Sequence, residues 1–202
     1  MEAKRYLVPT PYGEVSLIFG HRSVEAVTVF IHGAARTAHK LAGWLEPGTA
    51  LAELPGHDSG PFIEGDVVTW AAALESAIGY VWPAARITLV GESLGGVIAL
   101  HMRADRVVAL DPPMEPTAAV QREIRSGFVA PFLHPLLARS YWSILDDIQT
   151  PAEVICGLGG ILPAKAIERL AGHPNVRFNL LAGGHVLLDD NPEGVRRILA
   201  RE

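Results

Sequence analysis

The stretch Ile87-Thr88-Leu89-Val90-Gly91-Glu92-Ser93-Leu94-Gly95-Gly96, followed by Val97-Ile98-Ala99-Leu100, decides how this chain is read. Four β-prone residues lead into Gly-x-Ser-x-Gly, and the apolar positions after it fall at helical spacing, so the predicted order is strand, sharp turn, helix. A serine hydroxyl is a poor nucleophile until it is held in the open beside a base. A tight strand-to-helix turn pushes Ser93 out at the top of a sheet in a strained backbone geometry. Gly91 and Gly95 are small on this reading because a Cβ at either would strike the neighbouring strand and helix. The helix behind Ser93 also offers free N–H groups and a positive dipole end to a developing oxyanion.

Outward from this turn the chain alternates strands and helices. Arg5 to Val8 and Val15 to Phe19 read as an opening antiparallel hairpin around Pro9-Thr10-Pro11-Tyr12-Gly13. Ala26 to Ile31 is a continuous apolar strand of the kind buried on both faces. It runs into His32-Gly33-Ala34-Ala35-Arg36, where small residues let the backbone turn under a ligand and place the Ala34 N–H as an oxyanion donor. His32 itself reads as structural. Leu41 to Leu45 is expected as a short helix and Thr49 to Ala52 as a strand, followed by the surface loop Glu53-Leu54-Pro55-Gly56-His57-Asp58-Ser59-Gly60. Asp66 is expected to cap a helix whose apolar face carries Trp70, Leu74 and Ile78. After the helix behind Ser93 come a strand at 106–110 ending in Asp111-Pro112-Pro113, a strand at 152–156, a helix at 164–170, a strand at 176–181 and a closing helix at 192–200. Between Pro112 and Ser143 the composition shifts to proline and aromatics, with Val120, Ile124 and Phe128 on one helical face, which is expected to be a small helical lid. The order implies an α/β protein with a mostly parallel sheet and its ligand at the carboxyl ends of the strands, where Ser93, Ala34, Asp111 and His185 all fall.

Composition narrows the function classes. A chain of 202 residues, 49% hydrophobic and 19% charged, suits one domain spanning residues 1–202. A net charge of −5 with no basic block argues against nucleic acid and anionic membrane surfaces as partners. The N-terminal residues lack the apolar core of a signal peptide and no run is long enough for a membrane span, so a soluble cytoplasmic protein is expected. Cys156 is alone, in an apolar run, and reads as a buried small hydrophobe. His21, His39, His101, His134 and His173 show no paired ligand spacing, so no metal is expected. Gly157-Leu158-Gly159-Gly160 after a strand has Leu162 where a dinucleotide fingerprint needs its third glycine, and no phosphate loop is present, so no cofactor is expected.

With these residues laid out, the chain resembles the α/β-hydrolase family along nearly its whole length. The turn at His32-Gly33 resembles the family's oxyanion loop, Leu54-Pro55-Gly56-His57-Asp58-Ser59 its "DLPGHGxS" segment, and Gly91 to Gly95 its nucleophile elbow. Gly184-His185, with Pro192-Glu193 after it, resembles its terminal "GHxxxxxxPE" motif. The resemblance implies that Ser93 attacks an acyl carbonyl, that His185 takes its proton and later activates water, and that the N–H groups of Ala34 and Leu94 hold the oxyanion. Each such donor is worth about 3 kcal/mol, so loss of the Ala34 amide would slow the reaction roughly a hundredfold.

One position departs from the pattern. The family usually carries an acid after the strand that ends at Cys156, and Gly160 stands there. Asp111, at the end of the preceding strand, is a position some members use. A Ser93–His185 dyad, a water, or another acid such as Asp190 are the alternatives, although Asp190 also reads as a helix cap. The resemblance thus implies a serine esterase or thioesterase acting on a small acyl substrate, with an amide, a lactone or a carbon–carbon bond left open as the bond cleaved, and serine at the elbow arguing against chemistry that uses an aspartate nucleophile. The vacancy at Gly160 motivates the competing expectation of a non-catalytic binding member of the fold. The oligomeric state is not legible from the sequence.

Overall fold

A computed structural model describes residues 3–20, 25–58 and 60–201. Ser59 of the surface loop, His21, and Met1 and Glu2 of the N-terminal stretch lie outside the described residues.

Eight strands form one sheet: β1 (Lys4–Thr10), β2 (Gly13–Phe19), β3 (Ala26–Ile31), β4 (Thr49–Glu53), β5 (Arg86–Glu92), β6 (Arg106–Leu110), β7 (Ala152–Gly157) and β8 (Val176–Leu181). Their spatial order is β1-β2-β4-β3-β5-β6-β7-β8. The hairpin β1–β2 and the pair β2–β4 are antiparallel, and every pairing from β4 across to β8 is parallel. The opening turn is tighter than expected, two residues between Thr10 and Gly13, because Gly13 accepts a φ of 128°.

The central strands alternate side chains between two buried layers. Val29, Leu89, Val107 and Val154 face one layer, and Phe30, Val90, Val108 and Ile155 face the other. That is why these strands read as unbroken apolar runs. The first layer is covered by α1 (Val67–Val81) and α2 (Leu94–Leu100). The 112–143 segment also packs on it, carrying α3 (Ala118–Ser126), a 3-10 turn (Pro131–Leu133) and α4 (His134–Leu137), as does α5 (Ser143–Asp147), which begins at its last residue. So does α6 (Ala164–Ala171). The second layer is covered by a 3-10 helix (Ala38–Trp44), α7 (Leu187–Asp190) and α8 (Pro192–Leu199). Asp66 caps α1, accepting from the N–H groups of Val68 and Thr69, and Trp70, Leu74 and Ile78 are buried beneath it. No helix among the described residues is long and apolar enough to cross a membrane.

Three local expectations need correction. The short helix near Leu41 is a 3-10 helix that starts three residues earlier. Phe128 does not continue the face of Val120 and Ile124: Gly127 turns left-handed at φ 79°, ends α3, and leaves Phe128 82% exposed. Asp190 does not cap the closing helix. Asn191 does, accepting from the Gly194 N–H, while Asp190 Oδ2 accepts the Gly184 N–H at 2.8 Å, one residue before His185.

Candidate active site

Ser93 stands between β5 and α2 with φ 54° and ψ −122°, a conformation rare for a residue with a side chain. The turn is that tight because β5 and α2 touch. A Cβ on Gly91 would fall on the Gly95 carbonyl, and one on Gly95 would fall on the Ile31 carbonyl. The Ser93 N–H is tied to the Leu110 carbonyl at 2.8 Å, which fixes the turn against the end of β6. Among the described residues only Asp58, Ser93 and Asp111 combine a side chain with positive φ. Such geometry costs about 1–3 kcal/mol per residue and persists where the surroundings impose it.

Two of those strained residues meet through His185. Its Nε2 lies 2.9 Å from Ser93 Oγ and its Nδ1 lies 2.7 Å from Asp111 Oδ2. With Ser93 and Asp111 as flanking partners, the neutral tautomer that carries its proton on Nδ1 leaves Nε2 free to accept the serine proton. Asp111 is fully buried, and its Oδ2 also accepts the Ile161 N–H at 3.0 Å. Burial pulls the proton affinity of His185 down. The hydrogen bond and charge of Asp111 outweigh it, and Glu123 on α3 and Glu92 add to them, so its pKa rises above the ordinary 6.5. The vacancy at Gly160 and the presence of Asp111 are one fact: a Cβ on residue 160 would fall on Oδ1 of Asp111 and lie 2.6 Å from Oδ2.

Gly33 passes directly beside the serine; a Cβ there would lie 3.0 Å from the Ser93 Cβ. The Gly33 carbonyl is held by His32 Nδ1 at 2.8 Å and by the Arg36 N–H at 3.2 Å. Because a peptide unit is planar and trans, fixing that carbonyl fixes the Ala34 N–H in the opposite direction. His32 is fully buried, with Nε2 2.8 Å from Glu53 Oε1, in keeping with a structural part for this histidine. His57 Nε2 in turn lies 2.9 Å from the Ala34 carbonyl oxygen. Burial, followed by the neighbouring His32, lowers the pKa of His57. Leu94 is the first residue of α2, so its N–H has no intrahelical acceptor.

Sequence reasoning passed over Arg36, Glu92 and Asp189, which form a connected set. Arg36 Nη1 donates to Glu92 Oε1 at 3.0 Å, and Nη2 lies 3.0 Å from Asp189 Oδ2. The one available cue was a carboxylate inside an otherwise apolar strand end, since buried charges are rare unless matched. A cleft of about 350 Å³ opens next to this set, lined by Ala35, Arg36, Thr37, Lys40, Val186 and Asp189, the residues that follow Ala34 and His185. A larger cavity of about 560 Å³ lies at the amino ends of β6 to β8, beside Asp105, Ala152 and Val176, at the opposite end of the strands from Ser93. Cys156 is buried, and burial together with the Asp111 charge and hydrogen bond raises its thiol pKa, which disfavours the reactive thiolate.

A sequence model described as "Alpha/beta hydrolase family" matches residues 28–160, more than half of the chain, and the chain belongs to that family. Among solved structures it is similar to naproxen esterase, a carboxylesterase from Bacillus subtilis. The TM-score is 0.77 at 17% identity, over 98% of this chain and 90% of that one. The thioesterase domain from the curacin biosynthetic pathway aligns over 100% of both chains, with a TM-score of 0.75 and 14% identity. An N-acyl homoserine lactonase aligns over 99% of this chain and 96% of its own, with a TM-score of 0.75 and 17% identity. A search of curated proteins finds no match. Likeness at these identities shows the shared fold, and family membership supports a hydrolase activity.

Proposed function

We propose that this protein is a serine hydrolase that cleaves a carboxylic ester or thioester through an acyl-enzyme. The observation that carries the reading is the unbroken line from Ser93 Oγ through His185 to Asp111, with contacts of 2.9 and 2.7 Å. Ser93 attacks the acyl carbonyl while His185 Nε2 takes its proton. The oxyanion is held by the N–H groups of Ala34 and Leu94, and His185 then gives its proton to the leaving oxygen or sulfur. In the second half-reaction His185 activates a water that releases the acid. Asp111 keeps the imidazole in the productive tautomer and stabilises the imidazolium that forms. An esterase and a thioesterase stand among the similar structures, in keeping with this bond class.

Residues 112–143 serve on this reading as a short lid. Phe132 reaches across to ring contacts with His57 and Phe62, and Glu123 lies near enough to His185 to raise its pKa. The competing reading of a binding protein was motivated by Gly160, and the 2.7 Å contact between Asp111 and His185 supports the enzyme instead. The test is hydrolysis of p-nitrophenyl acetate and of a short acyl thioester by native protein, Ser93→Ala and His185→Ala. The proposal expects turnover in the first and a drop of at least about a thousandfold in either variant, as loss of a triad member brings. Turnover that survives Ser93→Ala would refute it.

A further inference from the structure

Arg36 sits where three loops of the site meet. It belongs to the turn after β3, and its own N–H donates to the Gly33 carbonyl. Its guanidinium donates to Glu92 Oε1 at 3.0 Å and lies 3.0 Å from Asp189 Oδ2. Glu92 directly precedes Ser93, and its second oxygen accepts the Leu188 N–H at 3.3 Å. Leu188 and Asp189 lie in α7, immediately beyond the loop that carries His185. The Glu92 side chain is 2% exposed; burial raises its pKa, and the neighbouring Arg36 guanidinium opposes that rise.

Resting on the serine-hydrolase reading above, we propose that Arg36 and Glu92 are positioning residues. They clamp the oxyanion turn, the nucleophile elbow and the histidine loop at the spacing that the acyl chemistry needs. The guanidinium is planar, and its donors leave in fixed directions toward carboxylates on two different elements, the end of β5 and α7. Displacement of any one loop therefore breaks a charge-assisted hydrogen bond. The separations along the chain, 56 residues between Arg36 and Glu92 and 153 between Arg36 and Asp189, mean that no local structure could set the same distances. A misplacement of about 1 Å at the reacting atoms costs on the order of a hundredfold in rate.

Arg36→Met alone would leave the buried Glu92 carboxyl without its partner and push its pKa, already raised by burial, further up, so the test uses the pair Arg36→Met with Glu92→Gln, beside Arg36→Lys. Steady-state hydrolysis of p-nitrophenyl acetate, the rate of covalent labelling by a fluorophosphonate and the Tm are read for each. The clamp predicts that the double variant keeps its Tm within a few degrees. Its kcat and labelling rate fall about 10- to 100-fold with KM within about twofold, since the lost effect is on transition-state geometry. Arg36→Lys, which keeps the charge without the fork, falls between it and the native protein. A double variant with native kcat and native labelling rate would overturn the proposal. So would a raised KM with unchanged kcat, which would make Arg36 a binding residue of the adjoining cleft. Labelling of the native protein tests the serine-hydrolase reading separately, because the clamp is judged only by the ratio of variant to native rates.

Discussion

Replacing Gly160 by alanine is a perturbation of a single methyl group whose consequence can be worked out from distances. The new Cβ would fall on Asp111 Oδ1 and lie 2.6 Å from Oδ2 and 2.7 Å from Cγ, whereas ordinary contact begins at 3.4 Å. Oδ2 must therefore retreat by about 0.8 Å, the gap between 2.6 and 3.4 Å. The 157–161 loop cannot easily give way instead. It is pinned by backbone bonds of 2.9 Å from the N–H groups of Leu158 and Gly159 to the Leu181 and Gly183 carbonyls, and by the Ile161 N–H on Asp111 itself. Movement toward the imidazole is closed by the 2.7 Å contact already there, and movement elsewhere stretches that contact toward about 3.5 Å, where it ceases to be a hydrogen bond. We expect kcat/KM on p-nitrophenyl acetate to fall about a hundredfold from misplacement alone. The fall approaches ten-thousandfold if His185 loses its tautomer, with KM little changed. Overpacking should cost about 1–3 kcal/mol, and at about 2–4 °C per kcal/mol the Tm drops by several degrees. Gly159→Ala is the control, because its Cβ would meet nothing closer than 3.4 Å. A Gly160→Ala protein within twofold of native kcat/KM would refute the role given to the Asp111 carboxylate.

The pH dependence follows from His185. In the proposed mechanism His185 is the base and must be neutral to act, and its pKa is raised, so kcat/KM should climb with pH through a midpoint above 6.5. In Asp111→Asn the burial that remains lowers that midpoint, and the pH profile of each protein reads it directly. The same raised pKa gives a contribution to folding stability that is fully present below 6.5 and lost as pH rises through the folded value. Burial lowers the pKa of His57 and of His101, so their contributions are present above 6.5 and lost as pH falls through the folded values, which acid unfolding curves would show. Asp66→Ala removes the cap of α1 and should lower stability by about 1 kcal/mol while leaving kcat unchanged, as thermal melts and kinetics together would show.

Much of this architecture was legible because its signals are local. The inner residues of the strands at 26–31, 86–92, 106–110 and 152–157 are mostly apolar and buried on both faces. The glycines around Ser93 are small because the Gly95 and Ile31 carbonyls occupy the space a Cβ would take. What the sequence hid depends on distance in the fold. Asp111 could be offered in place of the missing acid only by analogy, since its 74-residue separation from His185 leaves no spacing to read. Arg36, Glu92 and Asp189 were passed over for the same reason. Phe128 and Asp190 were misread because one left-handed glycine and one competing N–H decide their places, and a periodic pattern carries neither.

The assignment of Ser93 as the activated nucleophile is tested most directly by incubating native protein and Ser93→Ala with a fluorophosphonate, then measuring intact mass and mapping the modified peptide. One adduct on the native protein, located at Ser93 and absent from Ser93→Ala, is the predicted result. A folded native protein that takes up no adduct, or takes one up at a residue other than Ser93, would contradict it.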